Sequence, residues 1–434
     1  MQNEFCLNFT GDVMLGRLID QLFPTHVDNA EDQAHAESFV ARFPHLQSYS
    51  PSSPWGSTLP LFAESHLNLI NLETAVTTNP EAWPGKTFNY RMHPANASAT
   101  LVAAHIDFAS LANNHTLDFG TEGLVETAWT LKNDSRETAA RVGIAGAGET
   151  TQEAISPATL ELPRSKSQGG VKQGGRPTAL SADDQKERCE KHIVHVYAAS
   201  DHPLMWNDVP MFHLIDYSDK TKAHLKRVVE KYSSSVPTSA PSSSTSRLDS
   251  VSNESSPPSL KIFSIHWGPN YSWHPADKIR SMAHFLIFDC GIDIVHGHSS
   301  HHIQGVECPA PGKLIIYGCG DFVDDYATNE KYRNDLGAVY RVIVREESRE
   351  GNNDTGPTNA LLTPVRLEIF PTSIKLFQAH LLSNTKDKDH KWVCERIRTL
   401  TGELAKSGHS SWAGKRNLIR SDLGKRGQII MDLI

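Results

Sequence analysis

Short apolar runs recur along the chain and alternate with stretches of helical periodicity. Runs of this length, rich in Ile, Leu, Val and Phe and bounded by polar residues, Gly or Pro, are typical of β-strands. The predicted strands are residues 4–9, 66–72, 105–111, 192–198, 260–267, 292–297 and 313–318. Helix-like stretches lie between several of them, at residues 120–133, 218–232 and 276–290. This alternation predicts an α/β fold built of layers.

The last part of the chain has a different pattern. Residues 338–344 and 361–381 are predicted to form consecutive strands joined by proline-containing turns. Residues 388–406 are predicted to form a final helix.

Two segments differ sharply in composition from the rest. Residues 164–190 are rich in Gly, Ser and charged residues, and residues 233–259 consist almost entirely of Ser, Pro and Thr. Neither segment carries enough apolar side chains to offset the entropy lost on ordering. We therefore predict disordered insertions at both places, and a shorter one at 349–360.

Composition and charge restrict the class of protein. Of the 434 residues, 38% are hydrophobic and 21% are charged, which is typical of a globular protein. The net charge of -8 and the absence of a Lys/Arg block argue against a nucleic-acid partner. We find neither a run of about 18 apolar residues nor a secretory signal, and therefore expect no membrane anchor. Six widely spaced cysteines without a CxxC pair indicate reduced thiols and a cytoplasmic location.

Polar side chains follow six of the predicted strands at the point where each strand ends. The carboxyl ends of strands form the crevice where open α/β sheets bind ligands. Asp, Glu, Asn and His are the usual ligands of Mn, Fe, Zn or Mg ions, and two ions about 3.5–4 Å apart can activate a water molecule. The candidate metal ligands are Asp12, Glu73, Asn114, His266, His298 and His301.

The segment GIDIVHGHSSHHIQG, at residues 291–305, carries four histidines. His296 lies inside the apolar run, so we expect it to be structural. The sequence leaves open whether His301 or His302 is the ligand. Asp321, at the end of a late strand, is a further candidate for contact with the active site.

Seven motifs occur in a fixed order: GDVMLGR, NLET, LANNHTLDFG, GIAGAG, HWG, GHSSHH and YGCGDF. In this order they resemble the CapA family, which is named for capsule and poly-γ-glutamate synthesis, over roughly residues 4–160 and 190–335. The resemblance implies the four-layer α/β/β/α sandwich of the calcineurin-like metallophosphoesterases. It further implies that residues 1–434 form a single domain of this type, with one or two divalent metal ions.

The resemblance also gives the candidate ligands their roles. Asp12 matches the aspartate that binds one ion, Glu73 the carboxylate that bridges two, and Asn114 a ligand of the second ion. The three histidines complete the set. One departure is Met14, which stands where the phosphoesterases of that superfamily place a histidine.

Further residues are candidates for catalysis and substrate binding. His115 matches a general acid or base, and Asp118 would hold its ring in the required orientation. Arg17 and Arg91 are candidates for binding an anionic group, with a surface salt bridge as the alternative for each. Trp267 is a candidate for lining the substrate pocket, with a buried aromatic cluster as the alternative.

These observations predict a metal-dependent hydrolase that acts on a glutamyl, peptide or phosphoester substrate. Two alternatives stay open. A metal-bound carbonyl acidifies the neighbouring Cα–H, which would allow peptide epimerisation at the same site. The loss of a histidine at Met14 is the feature that favours a non-catalytic scaffold.

Overall fold

The computed structural model describes residues 3–133, 142–163, 191–233, 257–326, 329–347, 361–406 and 419–434. The predicted insertions at 164–190 and 349–360 lie outside the described residues, as does 233–259 apart from Ser233 and residues 257–259. The disorder of these segments stays a prediction.

Seventeen strands are present in the described part of the chain. They are β1 (Glu4–Val13), β2 (Leu67–Leu72), β3 (Ala75–Val76), β4 (Arg91–Met92), β5 (Phe108–Ser110), β6 (Gly143–Ala145), β7 (Ala158–Pro163), β8 (Lys191–Ser200), β9 (Leu260–His266), β10 (Ile294–His298), β11 (Val306–Glu307), β12 (Leu314–Ile316), β13 (Asp321–Val323), β14 (Leu336–Glu347), β15 (Leu361–Lys375), β16 (Gln378–Leu381) and β17 (Ile429–Asp432).

The α-helices of the same residues lie mostly between strands. They are α1 (Leu18–Gln21), α2 (Ala30–Arg42), α3 (Leu59–Ala63), α4 (Pro94–Ala103), α5 (Gly120–Lys132), α6 (Thr151–Ile155), α7 (Asp219–Ser233), α8 (Asp277–Phe288) and α9 (Lys388–Lys406).

The strands form two large sheets and one small ribbon. In the first sheet the order is β16-β15-β14-β1-β2-β5-β6, with β13 paired to β1 and β17 to β15. In the second sheet the order is β11-β12-β10-β9-β8-β7, and β3 pairs with β4 separately. The segments predicted as strands from the apolar runs all contain a strand, and the four predicted helices correspond to α5, α7, α8 and α9.

A hydrophobic core lies between the two large sheets. It joins Phe9 of β1 and Leu69 of β2 to Ile262 of β9 and Ile294 of β10, all fully buried. Successive residues of a strand point to opposite faces of its sheet. The neighbours of these core residues are therefore directed to the outer faces.

Helices cover both outer faces. Ile70, next to Leu69, packs with Leu101 of α4 and Leu124 of α5. Phe263, next to Ile262 on β9, packs with helices α7 and α8. Helix, sheet, sheet and helix thus form four layers, which confirms the predicted α/β/β/α sandwich.

Parallel strands bring the candidate ligands to one edge of the sandwich. β1, β2 and β5 run parallel in one sheet, and β8, β9 and β10 run parallel in the other. Asp12 pairs in register with Asn71, and His298 pairs with His266. Gly11 allows β1 to approach the chain at Gly320, because a Cβ at Gly11 would lie 1.9 Å from the Gly320 carbonyl oxygen.

Strand β15 corrects one prediction. Proline-containing turns within 361–381 were expected, but β15 runs through Pro364 and Pro371, and the turn to β16 lies at Leu376 and Phe377. Pro364 stands at a shift in register against β14. A proline is tolerated in a strand at such an irregularity because no ladder hydrogen bond requires its missing N–H.

Helix α2 was not predicted. It fully buries only Ala36, and Phe39 and Val40 pack against the core while partly exposed. Its apolar stripe is therefore too short to stand out as a helical period. Within the described residues, no helix combines the length and the apolar run needed to cross a membrane.

Candidate metal centre

Asp12 is the centre of the cluster of candidate ligands. Its side chain is fully buried at the end of β1. The Asn71 amide donates to Asp12 Oδ1 over 2.8 Å, and the Ser299 backbone N–H donates to Oδ2 over 3.3 Å. Burial raises the pKa of Asp12, and the charge of His301 opposes that rise.

The first group that can hold a cation consists of Asp12, His266 and His298. One ligand atom from each lies within 4.8 Å of the others. The Nδ1 atoms of His266 and His298 are 2.9 Å apart, and Ser264 Oγ lies 3.0 Å from His298 Nε2. Burial lowers the pKa of both imidazoles well below the usual value. Both rings are therefore neutral at pH 7, the form that binds metal.

The second group consists of Asp12, His301 and Asp321, again within 4.8 Å of one another. His301 Nδ1 lies 2.8 Å from Asp321 Oδ1 and 3.6 Å from Asp12 Oδ2. Burial lowers the pKa of His301, but Asp321 outweighs it, so the net effect raises the pKa to about 9. Asp321 thus adds a second carboxylate to this group, beside that of Asp12.

Glu73 and Asn114 lie at the same edge of the sheet. The Asn71 amide donates to Glu73 Oε2 over 3.0 Å, and Glu73 Oε1 lies 3.8 Å from His115 Nε2. Several buried side-chain atoms have no hydrogen-bond partner among the described residues, and three of them belong to candidate ligands: Glu73 Oε1, Asn114 Oδ1 and His266 Nε2. An unsatisfied buried polar atom is costly. Because each of these is a possible ligand atom, the arrangement fits a cation.

His115 and Asp118 form a pair beside the candidate ligands. His115 Nδ1 lies 2.7 Å from Asp118 Oδ2, and the Tyr90 backbone N–H donates to the same oxygen over 2.6 Å. Lys86 Nζ lies 2.9 Å from His115 Nδ1 and also forms an ion pair with Asp118. Burial lowers the pKa of His115, an effect that Asp118 partly offsets. The pair is thus a buried imidazole held by a carboxylate, and that carboxylate itself pairs with an ammonium group.

His296 and His302 lie outside the two groups. His296 contacts Ser264 Oγ at 3.1 Å and the Thr10 carbonyl at 2.8 Å, which is the structural role expected for it. His302 Nδ1 lies 2.9 Å from the Ile303 carbonyl oxygen, and its ring packs against those of Trp273 and Tyr332. The structure therefore brings His301, rather than His302, to Asp12.

The three candidates for substrate binding are placed differently from one another. Arg17 lies at the rim of the candidate site: Nε lies 3.5 Å from Asp325 Oδ2, and Nη1 donates over 3.3 Å to the hydroxyl of Tyr90, whose ring lies 4.6 Å from that of His115. Arg91 instead donates to the backbone carbonyls of Asn79 and Asp28.

Trp267 is only 3% exposed, and its indole N–H donates to the Tyr317 carbonyl in the core beneath the helices. Neither Arg91 nor Trp267 is brought to the candidate ligands.

Sequence reasoning missed three residues of this region. Asn71 lies inside an apolar strand, where nothing distinguishes it, and Lys86 lies in a loop without a motif. His202 follows the end of β8, so extending the strand-end rule to β8 would have found it. Its ring lies 4.9 Å from that of His266, and its Nδ1 is 2.5 Å from Asp201 Oδ1.

Comparison with solved structures gives a distant similarity. A crystal structure of the calcineurin-like phosphoesterase YfkN from Bacillus subtilis is 10% identical, with a TM-score of 0.32, and the match covers 84% of this chain and 91% of that chain. A TM-score this low supports no inference about the site.

Comparison with known sequences is more informative. The family described as "Bacterial capsule synthesis protein PGA_cap" matches residues 6–326. A probable polyglutamine synthesis accessory protein of Mycobacterium tuberculosis is 30% identical over 416 residues, which cover 90% of each protein. The PGA biosynthesis protein CapA of Bacillus subtilis is 23% identical over 407 residues, covering 89% of this chain and 80% of that protein. The chain therefore belongs to the bacterial capsule synthesis protein PGA_cap family, as the order of its motifs indicated.

Proposed function

We propose that this protein is a metal-dependent enzyme of hydrolase type, with one or two divalent ions of Mn, Fe, Zn or Mg. The observation that carries the proposal is the convergence of Asp12 with His266 and His298 on one side, and with His301 and Asp321 on the other. These side chains come from strand ends far apart in the sequence. Packing alone gives no reason for gathering so many buried ionisable groups.

Glu73 and Asn114 are proposed to complete the ligand set, since each has a buried oxygen without a partner among the described residues. When bound, the ions would polarise a carbonyl or phosphoryl oxygen and lower the pKa of a water molecule. Asn71 holds both carboxylates in place, because its amide group donates to Asp12 Oδ1 and to Glu73 Oε2.

His115 is proposed to move the proton. Its Nδ1 is fixed by Asp118 at 2.7 Å, which leaves Nε2 on the side of Glu73 Oε1, 3.8 Å away. Proton transfer by a positioned imidazole contributes about 10²–10⁴-fold to a reaction rate. Lys86 forms an ion pair with the Asp118 carboxylate and thereby helps to hold that carboxylate against the histidine ring.

The substrate is proposed to be a glutamyl or peptide compound, or a phosphoester. The names of the relatives, a polyglutamine synthesis accessory protein and a PGA biosynthesis protein, support the first class. The water-activating metal chemistry supports either class. Arg17, at the rim, is the proposed contact for an anionic group.

Peptide epimerisation is a second candidate, and one observation favours it. His202 is held by Asp201 in the same manner as His115 by Asp118, and its ring lies against His266. Epimerisation needs one group to remove a proton and another to return it. Two carboxylate-bound histidines beside one metal centre would supply both.

We propose a cytoplasmic location. All five described cysteines are free thiols, which supports a reducing compartment.

Metal analysis of the purified full-length protein tests the proposal. We expect stoichiometric metal in the wild type, a higher melting temperature with Mn²⁺ or Zn²⁺, and loss of both in His298→Ala. The matched control is His45→Ala, which alters an exposed histidine remote in sequence from every candidate ligand. A wild type without metal and without a thermal shift would contradict the enzyme proposal and favour a scaffold.

Activity assays then separate the reactions. p-Nitrophenyl phosphate esters report phosphoester hydrolysis, and release of amino acids from glutamyl peptides reports peptide hydrolysis. Chiral amino-acid analysis of recovered peptide reports epimerisation. Each activity is expected to depend on His298 and on added metal.

A further inference from the structure

A row of aromatic rings extends from the candidate metal centre to the C-terminal helix. We call it the ring ladder and define it as Tyr271, Tyr332, Trp273 and Trp392. Ring centroids are 5.4 Å apart between Tyr271 and Tyr332, 4.7 Å between Tyr332 and Trp273, and 6.2 Å between Trp273 and Trp392. All four side chains are partly exposed. The ladder thus reaches the surface, and its Trp392 also packs against the core between the sheets.

The inner end of the ladder adjoins the metal centre. The Tyr271 ring lies 6.0 Å from the ring of His301. Two hydrogen bonds fix the loop that carries this end: the Tyr271 N–H donates to the Ser300 carbonyl over 3.1 Å, and the Gln304 amide donates to the Ser272 carbonyl over 2.6 Å. The ladder is therefore held in a fixed position relative to the proposed ligands.

Two cations flank the outer part of the ladder. The Arg396 guanidinium lies 4.3 Å from the ring centre of Trp273 and 5.2 Å from that of Trp392. Lys331 Nζ lies 4.9 Å from the ring centre of Tyr332. Neither cation forms an ion pair with a carboxylate in the described part of the chain.

The neighbouring Arg333 shows the contrast. Its guanidinium pairs with Asp335 at 2.7 Å and with Asp389 at 3.0 Å, although it too lies over Trp392. Carboxylates that pair with a cation are thus present in this region. Arg396 and Lys331 lie beside the ladder with no carboxylate within ion-pair distance among the described residues.

We propose that the ring ladder, with Arg396 and Lys331, is the binding track for an extended acidic peptide whose reacting bond lies at the metal centre. Ring faces pack against the peptide planes and the aliphatic stems of side chains. The cations bind the carboxylates through charge-assisted hydrogen bonds. The position of the reacting bond rests on the proposed function, whereas the binding of the acidic chain does not.

Fluorescence anisotropy on the full-length, Mn²⁺-treated protein tests the track. The probe is a fluorescein-labelled peptide of about six glutamates, and the comparison peptide has glutamines in their place. Loss of one charge-assisted hydrogen bond, about 1.5–3 kcal/mol, corresponds to about 10–100-fold in affinity. We expect Arg396→Gln to weaken binding of the glutamate peptide by this factor and to leave binding of the glutamine peptide unchanged.

Arg398→Gln is the matched control. Arg398 lies on the same helix, two residues further on, and its guanidinium donates to the Ser421 carbonyl over 3.5 Å. It should bind both peptides as the wild type does. Tyr332→Leu removes one ring and should weaken binding of both peptides, with the melting temperature confirming that the variant folds.

Two results would overturn the track: equal affinity of the wild type for both peptides, or unchanged binding of the glutamate peptide by Arg396→Gln and Lys331→Gln. The Mn²⁺-induced thermal shift, measured on the same samples, keeps the two proposals apart. A retained shift without selective peptide binding refutes the track alone. Selective peptide binding without a shift refutes the metal centre alone.

Discussion

The protonation of His301 gives a quantitative expectation for metal binding. In the metal-free protein the pKa of His301 is raised to about 9, because Asp321 and Asp12 outweigh the lowering effect of burial. A histidine must be neutral to bind a metal ion. At pH 7 the two-unit gap to that pKa costs about 2.7 kcal/mol, or about 100-fold in affinity. The affinity for Mn²⁺ should therefore rise about tenfold per pH unit between about pH 7 and about pH 9.

Isothermal titration calorimetry with Mn²⁺ across this pH range measures the effect. In His301→Asn the slope should decrease, and the loss of affinity relative to the wild type should be greatest at the highest pH. Below pH 7 the difference should shrink, because the wild-type ring is then protonated and already poor as a ligand. Burial also raises the pKa of Asp12 and of Glu73, so a residual slope is expected in the variant.

His302→Asn is the control. Burial lowers the pKa of His302 to about 4, so its protonation does not change between about pH 7 and about pH 9. The substitution should leave the slope unchanged. A wild-type affinity that is flat with pH, or a slope lost in His302→Asn but kept in His301→Asn, would refute the assignment of His301.

Three further outcomes are expected. Asp118→Asn should reduce turnover by about 10–100-fold, since His115, the proposed proton-transfer group, loses the carboxylate that holds its ring. Metal content, measured by atomic absorption, should not change. Gly11→Ala should sharply lower the melting temperature or the yield of folded protein, because the added Cβ would lie 1.9 Å from the Gly320 carbonyl oxygen. The control is Gly402→Ala, whose Cβ would meet nothing within 4 Å. It should stabilise helix α9 by about 0.5–1 kcal/mol. Arg91→Lys should lower the melting temperature, because the hydrogen bonds from Arg91 to two backbone carbonyls are lost. The KM should not change. An altered KM with an unchanged melting temperature would show instead that Arg91 binds substrate.

The sequence by itself determined the layers of the fold and the edge at which the site lies. Apolar runs set the strands, because a strand buried on both faces must be apolar throughout. Parallel strands then bring their carboxyl ends together, so Asp12, His266 and His298 could be grouped without coordinates. The order of the motifs along the chain also identified the family. Most of these motifs consist of a strand end and the turn that follows it, which is where the candidate ligands lie.

Only the tertiary structure decided which neighbouring side chain faces the site. His266 and Trp267 are adjacent at the end of β9, and because successive residues point to opposite faces of a sheet, one reaches Asp12 while the other enters the core under the helices. His301 and His302 also diverge, but in a loop beyond β10, where His301 has a φ of 57°. His301 lies against Asp321, and His302 lies against Trp273 and Tyr332.

No local sequence pattern predicts contacts between segments that are far apart in the chain. Asn71 looks like an ordinary strand residue until its amide is seen between Asp12 and Glu73. Lys86 comes from a loop without periodicity and meets Asp118 only through the fold. Such pairs depend on distances between segments far apart in the chain, and only the packing of the layers sets those distances.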